Sequence, residues 1–345
     1  MDQITDFWAE QYLDRYISRG GSKIKFITGG PGRSKSDCLR EFLQNAAKRG
    51  YKTAEFSARK TWVHDFKEIY AAVLEAVDLD SCLAKCAGLV IKEMGFDPSE
   101  VSEGMNFADY LTEKGQFDPI TRRELRSQIN AMFYKNKRMD SNFAVCMSLL
   151  TGNILGRPAL EPVSRELLSD WLRGFKGVRI TELRKLGMSS SKVTKYNARN
   201  MLRSLAEVIK TAGSPGLVVG VDDLEALVDS DLTADIRYTK LRREDAYESI
   251  RELIDDIDSM SGVMFVFAFN KKLLENEKTG FKSYQALWMR IQNEVEGERV
   301  NRFADIVDMD RTAAPPRAEA SEPDTGATLV SPYYEERPAP QWRQI

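Results

Sequence analysis

The sequence predicts an α/β fold built on a parallel β-sheet, with a large helical insertion and a disordered C-terminal tail. Short apolar runs typical of buried strands recur along the chain, and stretches with one apolar helical face separate them. The first run is followed by glycines, a helix-like stretch and a second run, which is the order of a βαβ unit. The 345 residues suffice to bury a core without disulfides.

The elements before residue 80 follow from apolar periodicity and from the glycines that interrupt it. The first strand candidate, KIKFIT, ends in a Gly-Gly pair. The predicted elements are, in order, an amphipathic helix over 5–18, a strand over 23–28, a helix over 36–49 that ends at Gly50, a strand over 51–57 and a helix over 64–77.

After residue 80 the pattern changes twice. Residues 80–210 read as helical with no strand, which predicts an insertion between the second and third strands. Residues 216–221 form a continuous apolar run, as expected of a strand buried on both faces. A polar helix over 244–260 and a very apolar strand over 263–269 follow.

These elements divide the chain into four parts. Residues 1–79 and 211–311 form the two halves of the α/β core, and 80–210 form the insertion. Residues 312–345 contain six of the twelve prolines and no apolar periodicity, so a disordered tail is predicted.

Composition excludes several classes of protein. The net charge is −2, and no run approaches the roughly 18 apolar residues of a membrane span. The acidic start is unlike a signal peptide, so a cytoplasmic protein without membrane contact is expected. Four scattered cysteines and a single histidine, His64, favour buried reduced thiols over a zinc site and make Ser-His-Asp catalysis improbable.

The strongest motif lies between the first strand and the helix after it. It has the form G-x-x-x-x-G-K-[ST] of a phosphate-binding loop, except that Ser34 stands where the last glycine belongs. Lys35 would reach the β- and γ-phosphates of ATP, and the Ser36 hydroxyl would ligate Mg²⁺. The predicted nucleotide-binding residues are Gly29, Gly30, Pro31, Gly32, Arg33, Ser34, Lys35, Ser36 and Asp37.

A second motif is the apolar strand that ends in Asp222 and Asp223. In P-loop ATPases such a strand is expected beside the loop strand, where its first acid holds Mg²⁺ and the next serves the attacking water. Asp222 is therefore the predicted metal residue and Asp223 the predicted base. Glu225, two residues on, would point differently if the strand continued.

Two further residues are candidates for the reaction itself. Asn270 ends the last apolar strand, about where AAA+-like ATPases carry the polar sensor residue that orients the water. Asn is also an ordinary residue at the end of a strand. Arg290 is a candidate for contact with a phosphate, within its own chain or from a neighbouring subunit, and an ordinary surface arginine is the alternative.

Together these segments resemble the P-loop ATP-binding proteins of bacterial BREX (bacteriophage exclusion) systems, the BrxD-like group, which are related to the AAA+/initiator ATPases. The resemblance spans roughly residues 5–310. It implies an ATP-dependent component of phage defence with an AAA+-like P-loop core, whose partners are other proteins of the system. The similar segments are 29–36, 66–70, 171–174, 195–198, 202–206, 216–225, 251–255 and 280–287.

Three departures from that family fall on the catalytic machinery. Ser34 replaces a glycine, Asp223 replaces a glutamate, and Asn270 lies in a Phe-Asn step that replaces Gly-Thr. Binding of ATP relies on many backbone contacts, whereas hydrolysis also needs an accurately placed water. ATP and Mg²⁺ are therefore the expected cofactors, and hydrolysis stays open.

Basic residues cluster in the second half of the insertion. Between 171 and 210 there are ten Lys and Arg against Glu182 and Glu207, and the stretch 186–195 resembles the turn and helix start of a small DNA-binding module. Such a cluster can follow a DNA backbone, and a solvated helical face is the alternative. The candidate DNA contacts are Arg173, Lys176, Arg179, Arg184, Lys185, Lys192 and Lys195.

Three functions follow from these patterns. The first is an ATP-binding and ATP-hydrolysing switch protein, for which the sequence leaves open whether it forms a homo-oligomer. The second is a scaffold that binds nucleotide without hydrolysing it and recruits partners. The third is a DNA loader related to initiator ATPases, which would require a C-terminal winged helix. Only about twenty residues separate Arg290 from the tail, which is too few for that domain.

Overall fold

The computed structural model describes residues 2–30, 35–229, 235–292 and 302–312. Within them, five strands form one sheet in which all neighbours are parallel. The predicted α/β fold and its four predicted strands are confirmed, whereas the short fifth strand was not anticipated. The strands are β1 Lys23–Gly29, β2 Lys52–Ser57, β3 Leu217–Asp222, β4 Val263–Asn270 and β5 Ile306–Asp308.

The strand order is β2-β3-β4-β1-β5, so β4 lies between the loop strand β1 and the acidic strand β3. The expectation that β3 lies directly beside β1 is therefore wrong. Asn270 is instead the direct neighbour of Gly29, and the end of β3 lies one strand further away. Apolar patterning identifies a strand but not its neighbour, because every central strand of a parallel sheet is apolar throughout.

Helices connect the strands on both faces of the sheet. The predicted helix over 5–18 is α1 continued by a π-helix over Ala9–Asp14, and the helix predicted over 244–260 begins earlier and ends in the 3₁₀ turn Ile257–Ser259. The α-helices are α1 Asp2–Trp8, α2 Lys35–Lys48, α3 Phe66–Ala76, α4 Leu79–Glu93, α5 Phe107–Glu113, α6 Pro119–Tyr134, α7 Ser141–Ile154, α8 Pro162–Leu172, α9 Ile180–Lys185, α10 Ala198–Thr211, α11 Lys240–Asp256, α12 Lys272–Glu275, α13 Gln285–Ile291 and α14 Met309–Thr312.

Several of these helices begin at a side chain that accepts a hydrogen bond from the first turn. Asp65 caps α3 by accepting from the backbone N–H of Lys67 at 2.9 Å, and Asp140 caps α7 by accepting from two backbone N–H groups. Such caps satisfy amide groups that the helix cannot pair itself, and they fix where each helix begins.

The two faces of the sheet are covered by different helices. On one face, α1 and α2 bury their apolar side chains against residues such as Ile27, Val218 and Met264. Gly220 in β3 permits this packing, since a Cβ there would lie 2.8 Å from a methyl group of Leu43. On the other face, α3, α10, α11 and α13 pack against the remaining strand side chains.

The helices α3–α10 lie between β2 and β3, and the described chain between those strands contains no strand. Their core side chains, among them Phe133, Phe143 and Trp171, are contiguous with those of the sheet face that carries Phe26 and Phe265. The inserted helices and the sheet therefore share one apolar core.

Three features bear on the predicted class of protein. No helix in the described ranges has the length and apolarity needed to cross a bilayer. All four cysteines are buried. The predicted tail falls outside the described residues from Ala313 onward, and Thr312 ends α14.

Candidate functional site

The strands β1 and β4 end side by side, and the space beyond their carboxyl ends is here called the crevice. The chain leaves β1 through α2 on one face of the sheet, whereas it leaves β4 toward β5 through α13 on the other. Gly29 and Asn270 are register partners, and the backbone N–H of Lys271 donates to the carbonyl of Gly29 at 3.2 Å. In open parallel sheets, ligands bind beyond the carboxyl ends of strands at such a switch point.

The predicted phosphate loop borders this crevice. Gly29 is the last residue of β1, and α2 begins at Lys35. The Nζ group of Lys35 donates to the carbonyl oxygen of Gly30 at 3.3 Å, which brings the ammonium group back to the start of the loop. The α2 N-terminus adds a partial positive charge. The other four loop candidates lie outside the described residues; they are Pro31, Gly32, Arg33 and Ser34.

The next two candidates follow at the start of α2. Ser36 lies in its first turn, and Asp37 accepts a hydrogen bond from Arg40 at 3.0 Å on the exposed surface of the helix. Asp37 thus has a partner on its own helix. Its role in nucleotide binding stays a prediction.

The acidic end of β3 turns sharply. Asp222 is the last strand residue, and its Oδ1 accepts from the backbone N–H of Asp223 at 2.8 Å. Asp223 takes the left-handed conformation, with φ of 56°, which is uncommon for a residue with a side chain. Its Oδ2 accepts from the Ser57 hydroxyl at 2.6 Å. The carboxylate of Asp223 is therefore bound to the end of β2, the strand furthest from β5.

This turn brings Glu225 into the site. Glu225 is the second residue of the 3₁₀ segment Leu224–Leu227. Its Oε2 accepts a hydrogen bond from the backbone N–H of Asn270 at 3.1 Å. Burial raises the pKa of this carboxyl, with Asp223 adding to the rise. The sequence did not identify Glu225 because a continued strand would have directed it elsewhere.

Arg59, two residues past β2, faces all three acids that follow β3. Its guanidinium lies 3.6 Å from Asp223, 3.6 Å from Glu225 and 2.6 Å from Asp229. Lys272 also pairs with Asp229, at 3.1 Å. These cations offset the acidic charge beside the crevice. No sequence signal distinguishes Arg59 from other basic residues in a turn.

On the other side of β1, the start of α14, directly after β5, contacts Gly30 at the beginning of the predicted phosphate loop. The backbone N–H of Gly30 donates to Asp310 Oδ2 at 2.9 Å. Lys271 bridges Asp308 at 2.8 Å and Asp310 at 2.7 Å, and both carboxylates raise the pKa of Lys271. Gly29 and Gly30 are thus hydrogen-bonded to residues that follow β4 and β5. The sequence missed this group because β5 is only three residues long.

The donor set suits Mg²⁺ better than a softer metal. Ser36 and Asp222 supply a hydroxyl and a carboxylate, and hard oxygen ligands are those that Mg²⁺ prefers, usually in combination with substrate phosphates. Among the described residues, no three His, Cys, Asp or Glu side chains form a cluster that could hold an ion by themselves. The residues present therefore fit a cation that arrives with a nucleotide.

Asn270 and Arg290 have different surroundings. The Asn270 side-chain oxygen accepts from the backbone N–H of Lys272 at 3.1 Å, so it stabilises the turn into α12 beside the crevice. Arg290 pairs with Asp255 at 2.5 Å and lines a cavity with Ser22 and Lys23 at the opposite end of β1. A seven-residue strand is about 20 Å long, so Arg290 lies far from the crevice of its own chain. Contact from a neighbouring subunit stays a prediction.

The basic candidates lie between α8 and α10. All are exposed except Lys192, which is half-buried and donates to the carbonyl of Lys176 at 2.9 Å. The helix start predicted within 186–195 is wrong, since these residues follow α9 without helical structure and the next helix begins at Ala198. Asn197 instead bonds back to Thr194 and Lys192, which stabilises a loop.

Comparison with known proteins identifies a family for most of the chain. No curated protein and no solved structure matches the chain significantly. Residues 9–309 match a single family description, "BREX system ATP-binding protein BrxC/D", which covers every described strand and the whole crevice apart from Asp310. The match extends over far more than half of the chain. The chain therefore belongs to the BrxC/D family of ATP-binding proteins of BREX phage-defence systems.

Proposed function

We propose that this protein binds Mg·ATP in the crevice between β1 and β4 and hydrolyses it as a switch component of phage defence. The observation that carries the proposal is the contact of Lys35 with Gly30 after β1, at the same carboxyl edge of the parallel sheet where Asp222 ends β3 and Glu225 contacts the end of β4. Membership of an ATP-binding family supports the same nucleotide. The proposed partners are other proteins of the defence system in the cytoplasm.

Each group has a role that follows from its chemistry. Lys35 and the N-terminus of α2 would neutralise phosphate charge, and Ser36 and Asp222 would hold Mg²⁺. The metal supplies charge stabilisation when bound. A carboxylate after β3 would take a proton from the attacking water. The oxygen of that water bonds to the γ-phosphorus, and the bond between the γ-phosphorus and the β–γ bridging oxygen breaks. Asn270 would orient that water beside the loop.

The test is binding and turnover of ATP by the full chain, at varied Mg²⁺ concentration. We expect binding, release of phosphate, and loss of release in EDTA. Ser36→Ala should raise the Mg²⁺ concentration for half-maximal turnover by about tenfold, because a hydroxyl ligand is lost. Ser18→Ala, an exposed serine at the other end of the sheet, serves as the control.

Two outcomes would contradict the proposal. Binding without turnover under any Mg²⁺ concentration would favour the nucleotide-gated scaffold. Absence of binding would leave the crevice without a nucleotide and would refute the switch.

Exposed aromatic side chains beside the basic residues favour a second candidate function, contact with DNA. Phe175 is 61% exposed and Tyr196 is 81% exposed, and both lie in the same stretch as the cations between α8 and α10. Lysines and arginines can follow a phosphate backbone, and exposed rings can stack on unpaired bases. We propose weak DNA binding that does not depend on sequence.

Fluorescence anisotropy with labelled DNA tests this second function. The double charge reversal Lys176→Glu with Lys195→Glu should weaken binding by about tenfold at low salt and flatten its salt dependence, because fewer counterions are released. The matched control reverses two exposed lysines of α4, Lys85 and Lys92. Equal loss in both double variants would point to net charge and against this surface.

A further inference from the structure

The two acids that follow Asp222 contact different neighbours of β3, the strands β2 and β4. Asp223 accepts from Ser57, the last residue of β2, whereas Glu225 accepts from the backbone of Asn270, the last residue of β4. In the strand order, β2 is separated from β1 by both β3 and β4, but β4 is the direct neighbour of β1. Glu225 is thus directed toward the phosphate loop and Asp223 away from it.

The two carboxylates also differ in the strand that each one contacts and in their reach. Neighbouring strands are about 4.8 Å apart, so the end of β3 lies roughly 10 Å from the end of β1. An aspartate that turns toward β2 adds to that separation, and its side chain is also one methylene shorter than that of glutamate. Glu225 reaches the backbone of Asn270, whose register partner is Gly29 at the start of the loop.

The surroundings of Glu225 also suit a base. Its side chain is 17% exposed, whereas that of Asp223 is 34% exposed. One carboxylate oxygen accepts from the Asn270 backbone and the other faces Arg59 at 3.6 Å, so the group is oriented by two contacts. Burial raises its pKa, which brings it nearer to the range in which a carboxylate accepts a proton efficiently at neutral pH.

We propose that Glu225, and not Asp223, is the carboxylate that serves the attacking water. The inference rests on the proposed hydrolysis. In the step, Glu225 takes one proton of the water while the water oxygen bonds to the γ-phosphorus. The bond from that phosphorus to the β–γ bridging oxygen breaks, and its electron pair leaves with ADP. Asp223 then has a positioning role, since its bonds to Ser57 and Arg59 hold the turn that directs Glu225.

The experiment compares phosphate release and Mg·ATP binding in wild type, Glu225→Gln and Asp223→Asn, all as the full chain. We expect Glu225→Gln to lose turnover by about 100-fold or more with ATP affinity within about threefold of wild type. Asp223→Asn should lose only about fivefold, because asparagine keeps an acceptor for Ser57. Thermal unfolding of each variant reports whether the fold is intact.

A further variant covers the case in which Glu225→Gln fails to fold. Glu225→Asp keeps the charge that faces Arg59 but withdraws the carboxylate by one methylene, so at least about tenfold loss of turnover is expected. The proposal is overturned if Asp223→Asn loses as much turnover as Glu225→Gln or more. If wild type shows no turnover, with or without ATP binding, the proposed function itself is refuted and this inference is refuted with it.

Discussion

Replacement of Lys35 by alanine is expected to lower the affinity for Mg·ATP by about 100-fold and to abolish measurable hydrolysis. Lys35 is the first residue of α2, and its ammonium group already lies 3.3 Å from the Gly30 carbonyl at the start of the loop. ATP carries several negative charges on its phosphates, and the loss of a charge-assisted contact with them is costly. Calorimetric titration of the full chain measures the affinity, and phosphate release measures the turnover.

Lys48→Ala provides the matched control for this prediction. Lys48 is the last residue of the same helix and is exposed, so its removal changes net charge equally without altering the crevice. We expect its affinity and turnover to remain near those of wild type. Similar ATP affinity in Lys35→Ala and wild type would mean that the loop does not hold phosphates, and the proposed nucleotide site would be lost with it.

The second large effect concerns Lys25, a buried lysine in the middle of β1. Its side chain is 0% exposed, and its Nζ group donates to the carbonyls of Phe303 and Ala304 at 2.6 and 2.8 Å. Burial, assisted by Lys23, lowers its pKa to about 7, against the opposing attraction of Asp305. The lysine therefore loses its proton in the folded protein far below the pH at which it does so in the unfolded chain.

The sign of the pH effect follows from proton binding. Between the folded pKa of about 7 and the ordinary lysine value of about 10.4, the unfolded chain binds more protons, so stability rises with pH. From pH 7 to pH 9, Lys25 is expected to add about 2 kcal/mol to the free energy of unfolding. Burial raises the pKa of the cysteines in the folded protein, whereas in the unfolded chain they lose protons at about pH 8.5, so stability also changes through them. The informative quantity is therefore the difference between wild type and Lys25→Met.

Urea unfolding of both proteins at pH 7, 8 and 9 measures that difference. It should increase with pH in favour of wild type, while Lys48→Met, which removes an exposed lysine at the end of α2, should leave the pH dependence of wild type nearly unchanged. A difference that stays flat would mean that Lys25 remains protonated when folded and that its carbonyl partners compensate the cost of burying the charge.

The sequence and the structure agree best where a residue acts through its own local pattern. The runs that became β1–β4, the glycine pair after β1 and the acids at the end of β3 could all be identified in the sequence. Apolar strands, glycines and helix starts are encoded by neighbouring residues, and the residue type alone shows where a cation or a carboxylate is available. The order of these signals was enough to indicate a nucleotide site.

The features that the sequence did not predict depend on contacts between residues far apart in the chain. Arg59, Lys271 and Asp310 each lie at a strand end that only the sheet order brings to the crevice, and β5 was too short to detect. The same order moved Arg290 to the far end of β1. These placements depend on which strands pair and on which face of the sheet each connection crosses. Because buried parallel strands are apolar throughout, their sequences indicate neither the neighbouring strand nor the face.

The sequence by itself determined the class of this protein, an α/β chain of a BREX ATP-binding family, and it indicated a phosphate loop and an acidic strand. The tertiary structure alone decided which carboxylate contacts the strand beside β1. Asp223 and Glu225 are two residues apart and chemically alike, yet the left-handed turn at Asp223 directs one to β2 and the other to β4. The physical reason is that a backbone angle, set by the end of β3 and its contacts with Ser57 and Arg59, determines where each side chain points.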